Sequence, residues 1–167
     1  MEYNFTKCGK FLYNLTIKWT MFIAKHRWLY YVLMFTWGLP LTLVGLLTTV
    51  VMWFGGQTPQ KYYWSYCFKV GKLWGGFTLG NMFIRDGKSI DSLSAHEFGH
   101  TIQNTLFGIF GIFLVSIPSA IRFWVREIQA KKGKSLVPYD SVWFEASATT
   151  CGEFLSNYCR KEEENVI

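Results

Sequence analysis

The sequence predicts a mostly α-helical, membrane-anchored chain with a small antiparallel β element. Three observations lead there. The run from Trp28 to Phe54 has 27 residues and no charge, and about 20 residues of helix cross the hydrocarbon core of a bilayer. Before it, apolar residues recur every three or four positions, the period of a helix. β-Formers cluster only between residues 60 and 88.

Composition supports this class. The chain has 167 residues, 50% hydrophobic, 19% aromatic and 17% charged, against about 25% charged in an ordinary soluble domain. Intrinsic disorder, which needs low hydrophobicity and high net charge, is excluded. The net charge of +6 comes from Lys and Arg scattered among aromatics and apolar runs. That pattern suits an anionic lipid surface and argues against a nucleic-acid partner. Oligomeric state is not written in the sequence. Cys8, Cys67, Cys151 and Cys159 form no CxxC pair, and read as small buried or lipid-facing hydrophobes.

Residues 11–26 read as an amphipathic helix lying in the membrane interface, with Phe11, Leu12, Leu15, Trp19, Phe22 and Ile23 on one side. Trp28 to Phe54 follows as a transmembrane segment, with Trp28, Tyr30 and Tyr31 at one end and Trp53 at the other, as in aromatic belts. Gly38-Leu39-Pro40 should kink this span; a re-entrant hairpin turning there is the rival geometry. Basic residues flank the run evenly and give no orientation. Residues 1–58 thus form an amphipathic helix plus a transmembrane segment, and 59–167 a metal-binding domain. Within the latter, 60–88 reads as an antiparallel strand pair closed by Asp86-Gly87 and weakened by Gly75-Gly76.

Next comes a helix that carries chemistry. Ser92 or Ser94 is placed to cap it, and Ser94 has Glu97 three residues on, the capping-box spacing. His96 and His100 stand at i and i+4, on one helical face, where two imidazoles can reach one metal ion. Glu97 follows the first histidine, which places its carboxylate beside a metal-activated water as general base. The expected edge strand ahead of the helix would hold an extended peptide by main-chain hydrogen bonds. The plainer alternative is a structural helix whose histidines and glutamate are satisfied without metal.

A catalytic zinc site takes three protein ligands, and no histidine follows His100. The remaining candidates are Glu127, Asp140, Glu145, Cys151 and Glu153. Glu127 lies among basic residues and reads as a surface ion pair. Glu145 is a lone carboxylate in an apolar, small-residue helix, where an unpaired charge is costly and a cation removes the cost. Glu153, two turns on and nearer the charged tail, is its rival.

His96-Glu97-Phe98-Gly99-His100 with Gln103, followed by Glu145-Ala146-Ser147-Ala148, resembles the gluzincin-type zinc metallopeptidases over roughly residues 75–155. It looks most like small, membrane-associated members of the zincin group. The resemblance implies a zincin-like helical domain binding Zn2+ through His96, His100 and Glu145, with Glu97 catalytic and a peptide or protein as substrate. Such proteins often carry an acidic residue four positions after the third ligand to orient a ligand histidine; here it is Thr149. Support must then come from the Thr149 hydroxyl, a carbonyl or Asp140. Tyr139 or Tyr158 would stabilise the oxyanion. Site-2-type intramembrane peptidases share the HEFGH core but need a later LDG-like segment, which this chain lacks.

The ligand set also constrains topology. Leu106 to Ile121 is 16 residues without a charge. As a straight span it would put His100 and Glu145 on opposite sides of a bilayer about 30 Å thick. It therefore reads as the end of the HEFGH helix plus a turn dipping into the bilayer. The competing function is a non-catalytic small membrane protein whose HEFGH helix is structural or binds metal without turnover.

Overall fold

The computed structural model describes residues 4–72, 74–88 and 91–165; residue 73 of the expected strand region, and 89 and 90 just before the expected helix cap, lie outside that description. The chain is mostly helical with a small mixed sheet. In order come α1 (Lys7–Ala24), α2 (Arg27–Met34), α3 (Leu39–Phe54), β1 (Gln60–Tyr62), β2 (Ser65–Lys69), β3 (Gly76–Leu79) and β4 (Met82–Arg85). Then follow α4 (Asp91–Phe107), α5 (Ile117–Lys131) and α6 (Trp143–Glu164).

The Thr6 hydroxyl accepts the Gly9 N–H at 3.1 Å, so α1 starts earlier than residue 11. Its buried side is Gly9, Thr16, Thr20, Ile23 and Ala24, packed against α6. Phe11, Leu15 and Phe22 of the expected apolar stripe face outward. Trp19 is turned inward and donates its indole N–H to Thr105 Oγ1 at 2.9 Å.

The uncharged run is not one kinked helix, which corrects that expected geometry. It divides into α2 and α3, bent by 83°. Gly38 and Pro40 start a new helix rather than kinking an old one. Pro40 sits in the first turn of α3, where its missing N–H leaves nothing unpaired. Gly38 lies where a Cβ would press to 2.7 Å from Asn104 Nδ2. Among the described residues no single helix is long and apolar enough to cross a membrane. The stretch after the HEFGH helix likewise turns back, by 119° through a 3-10 turn at Gly108–Phe110 and a π-helical turn at Ile112–Ser116.

The β element is a four-stranded sheet in the order β1-β2-β4-β3, and it is mixed rather than antiparallel. β1–β2 and β3–β4 are antiparallel, whereas β2 and β4 run parallel, Tyr66 opposite Met82 and Phe68 opposite Ile84. All four residues of β4 are buried. A strand covered on both faces belongs inside a sheet, so β4 inserts beside β2 and leaves β3 at the edge. The expected cap is also corrected: Ser92 and Ser94 lie inside α4, which starts at Asp91.

α4 and α6 make the most extensive helix pairing. A Cβ on Gly99 would overlap the carbonyl of Ala148, and one on Gly152 the carbonyl of Ala95. Only glycine lets the two backbones meet so closely. Phe98, Ile102, Leu155 and Cys159 then form one core with Ile23, Tyr30 and Met34. The buried Tyr30 hydroxyl lies 2.8 Å from Ser65 Oγ, 2.7 Å from Asn81 Oδ1 and 3.0 Å from Thr101 Oγ1, fastening α2 to the sheet and to α4.

Gly99→Ala and Gly152→Ala should each destabilise the fold. The backbone overlap costs about 1–3 kcal/mol or more and exceeds the roughly 1 kcal/mol that alanine gains in a helix. Gly111→Ala, whose Cβ would meet only Phe107 Cβ at 3.4 Å, should leave the melting temperature unchanged or raise it. Thermal unfolding by circular dichroism checks this.

Candidate metal centre

The glycine-mediated contact brings Glu145, in the first turn of α6, against His96 and His100 of α4. Glu145 Oε2 is 3.2 Å from His96 Nε2 and 3.3 Å from His100 Nε2, and the two Nε2 atoms are 3.2 Å apart. Tetrahedral donors about 2.0–2.1 Å from a common ion stand about 3.3 Å from one another. The three atoms therefore have the spacing of three corners of such a site.

Hydrogen bonding fixes which atoms offer lone pairs. Gln103 Nε2 donates to the Phe144 carbonyl at 2.6 Å and to Ser147 Oγ at 2.8 Å. That turns its Oε1 towards His100 Nδ1, at 2.7 Å. As neutral imidazole, His100 then carries its proton on Nδ1 and a bare lone pair on Nε2. Thr149 donates to Asp140 Oδ1 at 3.2 Å, and its oxygen lies 2.8 Å from His96 Nδ1, imposing the same tautomer there. Both Glu145 oxygens are buried, and Oε2 faces the two imidazole nitrogens. Three electron-rich atoms thus converge on one buried point, which a cation satisfies.

Without an ion, a proton takes that place. Burial pulls the His100 imidazole down, but hydrogen bonding to Glu145 and its charge win and raise it to about 9. Burial pushes Glu145 up, and the two histidines overcome this and hold it well below the usual carboxylate range. Its position in the first turn of α6 adds the favourable end of the helix dipole.

Glu97 shares the cavity beside the cluster with His100 and Tyr139. Thr78 of β3 sets its carboxylate: the hydroxyl lies 2.6 Å from Glu97 Oε2 and 2.9 Å from the Glu97 carbonyl oxygen. A Cβ on Gly76 would come within 2.7 Å of Glu97 Oε1, so glycine leaves the carboxylate its room. A cavity of about 920 Å³ reaches Glu97, His100 and Tyr139, bounded by edge strand β3 on one side and α5 on the other.

The half-buried Tyr139 ring lies 5.8 Å from that of His96. Arg122 holds its loop, donating to the carbonyls of Tyr139 (3.1 Å) and Pro138 (2.7 Å) and to Ser141 Oγ (2.8 Å); Arg126 donates to the Val137 carbonyl. Burial, then the Glu145 charge, pushes the Tyr139 hydroxyl upward, so it remains a donor. Tyr158 stacks on Phe154 elsewhere on α6.

Of the other candidate ligands, Glu153 is exposed, Glu127 is exposed at the cavity wall, Cys151 is buried in the core and Asp140 bonds Thr149. Thr78 and Gly76 were not foreseen from the sequence. Their role depends on a strand pressed against α4, for which no spacing signal exists. The clue available was Gly75-Gly76 in an otherwise β-forming stretch.

In the metal-free protein His100 should titrate near pH 9. Its folded value is raised from 6.5. The stability it contributes is therefore complete below about pH 6.5 and is lost as pH rises through about 9. Imidazole NMR of the metal-free chain checks this, and a bound divalent ion should abolish the titration. Compared with known proteins, the chain matches no family model, no curated sequence and no solved structure.

Proposed function

We propose that this protein is a zinc-dependent metallopeptidase. The observation that carries the reading is the convergence of His96 Nε2, His100 Nε2 and Glu145 Oε2 at 3.2–3.3 Å beside a cavity that also holds Glu97. Two imidazoles and one carboxylate suit zinc, and three protein ligands leave a fourth position for chemistry. When bound there, zinc polarises a carbonyl and makes water acidic enough to ionise near neutral pH.

The residues of the chain do the rest. Glu97 takes a proton from the attacking water and passes it to the leaving amine. Thr78 restrains that carboxylate through a 2.6 Å contact. The Tyr139 hydroxyl donates to the oxyanion as it develops. β3, at the sheet edge, offers main-chain groups to an extended peptide. Gln103 and Thr149 keep the histidine lone pairs aimed inward.

Purified protein should carry about one zinc per chain. Glu97→Gln should keep the zinc and lose peptide hydrolysis by about 10²–10⁴-fold. Glu145→Ala should lose zinc and activity together, while Glu153→Ala keeps both. Elemental analysis beside hydrolysis of a quenched-fluorescence peptide library checks all three variants. Full zinc in the His96→Ala, His100→Ala double variant would refute the site. Normal zinc without hydrolysis in the wild type would leave a metal-binding protein that is not a peptidase.

A further inference from the structure

α3 is built inside out. Its buried residues are Thr42 and Gly45. Gly45 sits so close to β3 that a Cβ would overlap the Leu79 carbonyl, and Thr49, partly buried on the same side, donates to Met82 Sδ at 3.0 Å. Outward go Leu43, Val44, Leu46, Leu47, Val50, Val51, Trp53 and Phe54, the last 81% exposed. A helix bathed in water puts its apolar stripe inward; this one turns small and hydroxylated residues to the protein and its bulk outward. No residue of α3 is charged.

The surface continues. Trp37, just before α3, packs edge-on to Phe110, with centroids 5.7 Å apart, and Phe110 and Phe113 are exposed. α5 then presents Ile121, Trp124, Val125 and Ile128, and it buries none of its own residues. Exposed basic residues Lys131, Lys132 and Lys134 border the end of α5. An apolar face edged with Trp and Lys fits an anionic bilayer, whose headgroups meet the cations while its acyl chains take the side chains.

The cavity beside the metal centre lies between these same helices. Leu41 of α3 lines it, and so does Trp124 of α5, which is 64% exposed. We infer that α3, the 109–116 turn and α5 form a face that lies in one leaflet of an anionic membrane without crossing it, and that the cavity opens through this face to the lipid. The substrate is then an apolar peptide segment delivered from the bilayer. The membrane face stands on its own; the substrate class rests on the peptidase reading.

The test uses the full zinc-loaded chain and phosphatidylcholine–phosphatidylserine vesicles. Wild type should float with the vesicles, and brominated acyl chains should quench its tryptophan fluorescence. Trp124→Phe should remove part of that quenching, because Trp124 stands at the cavity mouth. The double variant Leu47→Glu, Val51→Glu should lower vesicle binding at least about tenfold, with zinc content and melting temperature unchanged. It should also cleave a vesicle-anchored peptide at least about tenfold more slowly, and the same peptide without its apolar anchor at the wild-type rate. Wild type that stays in the buffer, or that sediments as a dimer with Trp53 and Trp124 hidden, would overturn the membrane face. Vesicle binding without any loss of quenching in Trp124→Phe would overturn the lipid-side opening. Equal rates on anchored and free peptide in the double variant would overturn the substrate class. Absence of hydrolysis in wild type defeats the peptidase reading and the substrate class with it, while flotation and quenching still decide the face.

Discussion

The close approach of α4 and α6 is the constraint on which the rest depends. Glu145 has a short side chain for spanning between helices, so it reaches the two imidazoles only if the backbones nearly touch. Gly99 and Gly152 permit that, each facing a carbonyl of the other helix. Gln103 uses the same proximity twice, anchoring its amide on Phe144 and Ser147 while accepting from His100. One packing decision thus sets ligand position, ligand tautomer and the depth at which the charge is buried.

Much of this centre was legible in the sequence, for local reasons. His96 and His100 share a face because four residues make about one helical turn. Glu145 stood out because a lone carboxylate among Phe144, Ala146 and Ala148 needs a partner when buried. The Thr149 hydroxyl and Asp140 were both open as the source of orientation for a histidine, and they act in series. What stayed hidden was non-local. Nothing around Thr78 announces that its hydroxyl meets a carboxylate on a helix 19 positions later. That Tyr139 rather than Tyr158 borders the cavity depends on the 137–141 loop, which two arginines of another helix hold in place.

The fold-level misreadings have the same origin. An uncharged run of 27 residues satisfies a length criterion, but length carries no information on where the chain bends. Gly38-Leu39-Pro40 reads in sequence either as a kink in one helix or as the turn of a hairpin, and it is the boundary of two helices. Parallel pairing of β2 with β4 was invisible because β3 intervenes in sequence yet lies on the far side of β4. Strand order is settled by which strand can be covered on both faces, and that depends on helices packed from elsewhere.

β3 also acts as a ruler. Its four residues, Gly76–Leu79, extend about 13 Å at roughly 3.3 Å per residue. Under the proposed peptidase reading, a chain laid against so short an edge would be gripped over about four residues, two or so on either side of the reacting bond. α3 closes one end of the strand, where Gly45 presses on Leu79. At the other end Gly75, with φ +97°, turns the backbone away. So brief a grip gives little selectivity from the main chain. On that same reading, discrimination among peptides would come from the shape of the pocket that Phe77, Phe123 and Trp124 line, and a segment would be sampled a few residues at a time.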